Sequence, residues 1–110
     1  MVERRGKYAS GRKPAKVFTD LYPGWPDLAV EEIEDPIDRR FLQLVHQFQA
    51  VCQSRLDSGE TMSINDFSLQ LDMPYALVRG LLRGEKFPSL ETVLKLEDKL
   101  KITLLDPEHG

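Results

Sequence analysis

Between Ser63 and Ser89 the helix starts and stops fall so close together that only short helices with tight connections fit. Ser63, with Asp66 three residues on, has the form of a capping box, in which a hydroxyl accepts from a first-turn amide and an acid reaches back. Ile64, Phe67 and Leu71 supply the inner face of the helix that follows. Pro74 disfavours helical geometry at Met73 and is itself a good first residue of a helix, so this helix ends near Leu71 and Asp72 and Met73 form the turn. A third helix, from about Pro74 to Arg83, buries Val78 and Leu81. Gly84 stops it, because glycine takes left-handed geometry without steric cost. Gly80 inside it costs about 1 kcal/mol relative to alanine and points to close backbone approach or to a marginal helix. Ser89 caps a fourth helix with Leu90, Val93, Leu94, Leu96 and Leu100 as its apolar side, and Ile102, Leu104 and Leu105 suggest one last short turn.

Upstream, Asp35 can cap and Pro36 can begin a helix of roughly 20 residues whose inner face is Ile37, Phe41, Leu44, Val45, Phe48, Val51, Cys52 and Leu56, ending at Gly59. His46 falls beside Leu42 and Gln49 on its outer side and reads as a half-exposed surface residue. No period-two alternation lasts long enough for a strand, so the fold is all-α, a compact four- to five-helix domain over 35–110. Before it, 17–34 is an apolar and acidic arm. Val17, Phe18, Trp25 and Ile33 are too apolar to float, while Pro23, Gly24 and Pro26 forbid one continuous helix. Trp25 should therefore be buried against the long helix.

The first sixteen residues hold Arg4, Arg5, Lys7, Arg12, Lys13 and Lys16 against Glu3, although the whole chain of 110 residues carries a net charge of -3. A flexible basic tail over 1–16 is expected. A second block, residues 27 to 38, has six acids and no base and becomes a favourable flank for the start of the long helix. Composition is that of one ordinary globular domain, 41% hydrophobic and 30% charged. No apolar run approaches the ~20 residues of a membrane span and the start of the chain lacks the apolar stretch of a signal peptide, so a cytoplasmic protein with no membrane partner is expected. Cys52 reads as a small buried apolar residue. With only His46 and His109 beside it there is no metal-ligand spacing, and the acids at 31, 32, 34 and 35 lack the pattern of a calcium loop. Neither a cofactor nor an enzymatic activity is expected.

Two short helices joined by a tight turn make a rigid angle from which the second can project one face into a DNA major groove. Over about 37–106 the chain resembles the Cro and lambda-repressor (XRE) type of helix-turn-helix family. The residues that carry the resemblance are "LLRGEKFPSLETVLKLEDKL", a glycine ending the recognition helix and a capped helix after the proline, and the rhythm of Phe67, Leu71, Met73, Val78 and Leu81. Where that family usually has Gln, Ala and Gly, this chain has Ile64, Ser68 and Asp72. The resemblance implies a lambda-repressor-like domain that binds double-stranded DNA, regulates transcription as a repressor or antitoxin-like protein, and acts as a homodimer on a palindromic site.

Carried over position by position, it places Pro74, Tyr75, Ala76 and Arg79 toward the bases, with Arg83 near the backbone and Ser63 and Lys86 among the DNA-binding residues. Tyr75, Arg79 and Arg83 share one helical stripe by their i, i+4, i+8 spacing. Arg79 suits guanine O6 and N7, and Tyr75 suits a phosphate or a thymine methyl. In the tail, "GRKP" resembles the basic core of minor-groove AT-hooks, which adds Arg12 and Lys13 as contacts; a solubilising tail is the other reading. The alternative from another class is a protein-interaction module. It would grip a toxin or other regulator through the arm 17–33 or through exposed Leu77 and Leu82, with DNA binding weak or lost.

Overall fold

Asp35 and Pro36 begin the longest helix of the computed structural model, which describes residues 17–104. The helices are α1 (Phe18–Leu21), α2 (Pro36–Ser58), α3 (Ile64–Leu71), α4 (Tyr75–Arg83) and α5 (Leu90–Leu100), with a 3-10 turn at Val30–Glu32, and the described residues contain no strand. None of these helices is long and apolar enough to cross a membrane. The basic segment 1–16, with Arg12 and Lys13, lies outside the described residues, as does Leu105.

Local chemistry sets each helix end. Asp35 Oδ1 accepts from the amides of Ile37 and Asp38 at 2.8 and 3.0 Å, and Gly59 closes α2 in left-handed geometry. Ser63 Oγ accepts from Asp66 N at 3.0 Å. The answering half of the expected capping box shifts by one residue, since Asp66 Oδ2 accepts from Met62 N at 2.9 Å. Asp72 turns left-handed at φ 57°, a conformation that aspartate tolerates better than most residues. Pro74 caps α4 from outside with ψ 142° and is not its first helical residue. Ser89 Oγ accepts from Thr92 N and starts α5.

Two apolar clusters meet along α2. Phe48, Phe67, Leu71, Val78, Leu81, Val93, Leu96 and Leu100 form one between α2 and the following helices. Phe18, Trp25, Ile33, Phe41, Leu42 and Val45 form the other, where the arm covers the first half of α2. Trp25 is buried as expected. The arm also changes which stripe of α2 is inside. Ile37, expected in the core, is 65% exposed, while Asp38 and Leu42 are buried, because Tyr22 lies over Asp38 and donates its hydroxyl to Oδ2 at 2.6 Å. On α5 only Val93, Leu96 and Leu100 point inward; Leu90 and Leu94 sit on its flank and are exposed. Beyond Leu100 the chain leaves helical geometry, and Leu104 returns to the core with its amide donating to Glu97 Oε2.

Candidate nucleic-acid interface

The unit α3, turn, α4 is braced from the inside. Phe67 and Leu71 of α3 and Val78 and Leu81 of α4 share the helical core. In the turn Met73 is buried and its amide donates to Ser68 O. With the inner faces held, the other side of α4 is presented to solvent. Tyr75 is 44% exposed, and Pro74, Ala76, Arg79 and Arg83 are exposed as well. Tyr75, Arg79 and Arg83 thus lie on one open stripe, as their spacing predicts.

Among the described residues Arg79 has no ion-pair partner, whereas Arg83 lies 3.6 Å from Glu85 with both side chains more than half exposed. Such an exposed pair is worth little and exchanges readily for another anion. Lys86 is exposed in the loop after α4. Ala76 and Lys86 line one hollow together with Gly80 and Phe87. Ser63 is exposed at the start of α3 with its oxygen engaged by Asp66 N. Asp72 and Glu85, both exposed, make this face mixed in charge.

Leu77 and Leu82 are not exposed as the sequence suggested. Both are partly buried against the helical core, because α4 sits deep enough between α2 and the loop to cover its flanks. The most open apolar side chains of this unit are Met62, 80% exposed just before α3, and Leu69, 70% exposed on α3 itself. The spacing of Ile64, Phe67 and Leu71 leaves Leu69 off the inner face, which was the available signal.

The sequence also did not show what holds the end of α4. Gln49 Nε2 donates to Leu82 O at 2.8 Å and Trp25 Nε1 to Gly84 O at 2.9 Å. Only their separation in the chain hid them. Val17, the first described residue, lines a cavity of about 460 Å³ with Trp25, Arg83 and Glu85 beside that same end. Cys52 is buried, and burial pushes its thiol pKa up, which leaves it protonated. No protein-family model, curated protein or solved structure matches the chain.

Proposed function

We propose that this protein is a sequence-specific regulator of transcription, a repressor or antitoxin-like protein of lambda-repressor-like fold, that places α4 in the major groove of double-stranded DNA. The observation that carries the reading is the open stripe Tyr75, Arg79, Arg83 on a helix whose opposite side, Val78 and Leu81, is locked into the core. Arg79 reads guanine, and Tyr75 meets a phosphate or a thymine methyl. Pro74 and Ala76 bring the first turn close to the bases. Arg83, Lys86 and Ser63 face phosphates, which fix register without reading sequence. The basic tail with Arg12 and Lys13 adds phosphate contacts.

A homodimer supplies two such helices for a palindromic site in the cytoplasm. Ile37, Phe87 and Leu90, exposed around one groove between α2 and α5, are the apolar surface that a second copy would cover.

The test is selection of duplexes from a randomised library, followed by a salt series on the selected and a scrambled duplex. Arg79→Ala should cost about 1 to 3 kcal/mol on the selected duplex and relax preference at one position per half-site, with little change on the scrambled one. Equal loss on both, or none, removes Arg79 from base reading. Exposed Met62 and Leu69 favour a second reading, a protein-interaction module that grips a partner through the outer side of α3. That reading takes over if no duplex is selected.

A further inference from the structure

The C-terminal end of α4 is held from outside the helix. Carbonyls in the last turn of a helix lack an intrahelical amide to accept from. Gly84 and Glu85 turn their own amides back onto Leu81 O and Gly80 O. Leu82 O and Gly84 O, by contrast, accept from Gln49 of α2 and Trp25 of the arm. Arg83 stands between these two anchored carbonyls.

The anchorage has little slack. A Cβ on Gly84 would lie 2.7 Å from Trp25 Nε1 and 3.3 Å from Val45 Cγ2, so the backbone rests directly on the indole edge. Trp25 is stacked on Phe18 and Tyr22, with ring centroids 4.7 and 5.4 Å away. Tyr22 is tied back to α2 through Asp38. A continuous chain of contacts therefore runs from α2 through the arm to the backbone beside Arg83.

Resting on the reading of α4 as a groove-entering helix, we propose that Trp25 and Gln49 are positioning residues for DNA binding. They hold the backbone on both sides of Arg83, so that its guanidinium meets a phosphate within the narrow distance range of a charge-assisted hydrogen bond.

Trp25→Phe keeps an aromatic ring against Phe18 and removes the N–H, and Gln49→Met keeps chain length and removes the donor. Each should speed hydrogen exchange at the amides of Gly84 and Glu85 about three- to tenfold, with protection elsewhere retained. Each should weaken binding to the duplex selected by the wild-type chain about three- to tenfold, as the loss of one neutral hydrogen bond allows. Arg83→Ala should weaken binding in the wild-type background and add little in either variant, a non-additivity that a general loss of stability does not produce.

Wild-type affinity in both variants, or an undiminished Arg83→Ala effect despite faster exchange at Gly84 and Glu85, overturns the positioning role and leaves a stabilising one. Unchanged exchange at those amides overturns the anchorage even where DNA binding stands. A wild-type chain that selects no duplex overturns the DNA reading and the positioning role with it, while the exchange data still report whether the anchorage exists. Gln49→Met carries the test alone should Trp25→Phe fail to fold.

Discussion

The cluster around Phe48 and Phe67 is closed by four helices with well-marked ends, whereas the cluster around Trp25 is closed by α2 and an arm with one turn of α-helix and one 3-10 turn. Both exclude water equally well at their centres, since Phe67, Ile33 and Leu42 are all fully buried. They differ in what holds the backbone. In the helical cluster most amides and carbonyls pair within their own helix, the end of α4 excepted, where Gln49 and Trp25 reach in from outside. In the arm the local backbone bonds close only single turns, such as Tyr22 N to Phe18 O, Trp25 N to Tyr22 O and Asp27 N to Gly24 O, and position is set by ring stacking and by bonds such as Tyr22 to Asp38, Trp25 to Gly84 and His46 Nε2, which donates to Pro26 O. A helical core can thus serve as a scaffold, while the arm acts as a strap whose contacts can be removed one at a time.

The largest effect should separate the two clusters directly. Phe67→Ala leaves a cavity beside Phe48, 5.6 Å away between ring centroids, and should cost about 3 to 5 kcal/mol of global stability in chemical denaturation. Phe18→Ala should cost less, because the arm can leave α2 and the loss stops at its docking energy. The helical circular-dichroism signal should stay while Trp25 emission, which burial of the indole should place to the blue in the native protein, moves to the red. Loss of that signal in step with the emission would mean that the two clusters unfold as one unit.

A smaller contrast comes from two glycines close together in α4 and its cap. Gly84→Ala meets Trp25 and must hold a left-handed φ of 65°, a strain of about 1 to 3 kcal/mol, and should shift Trp25 emission as well as the denaturation midpoint. At Gly80 an added Cβ would find only Glu85 Oε1 at 3.4 Å, an ordinary contact. Gly80→Ala should therefore raise stability by up to about 1 kcal/mol, the helix-propensity difference. The sequence left close approach and a marginal helix open at Gly80; the geometry favours the marginal helix. A destabilised Gly80→Ala would reverse that.

The smallest effect concerns how the arm is tied down. The hydrogen bond that Tyr22 donates to Asp38, together with burial and the nearby carboxylates, raises its pKa from 10.0 to about 12. The folded state thus prefers the protonated phenol, so this contribution is complete below pH 10 and declines as pH rises from there through about 12. Denaturation midpoints across that range should fall for the wild-type chain and fall less for Tyr22→Phe. Parallel curves would show that the bond contributes nothing to holding the arm.

Helix ends were legible from sequence because they are decided within four residues. The caps at Asp35, Ser63 and Ser89 and the stops at Gly59 and Gly84 needed no knowledge of neighbours. The open stripe of Tyr75, Arg79 and Arg83 followed from helical period alone. Periodicity failed where a remote segment chose which side of a helix to cover. Ile37 is apolar and lies outside, while Asp38 is charged and lies inside with its carboxylate accepting from Tyr22. Leu42 looked like part of an outer face until the arm lay on it.

Leu77 and Leu82 looked exposed on a helix considered alone, yet the depth at which α4 sits between its neighbours half covers both. Leu90 and Leu94 went the other way and stay 63% and 50% exposed on the flank of α5. The bonds from Gln49 to Leu82 O and from Trp25 to Gly84 O span 33 and 59 residues, and no local signal encodes such a pairing. The sequence by itself therefore determined the four longer helices, most of their ends and the presented stripe, because hydrogen-bond closure and steric limits act over one turn. Only the tertiary structure decided which faces became core and what holds the end of α4, because burial depends on where distant segments come to rest.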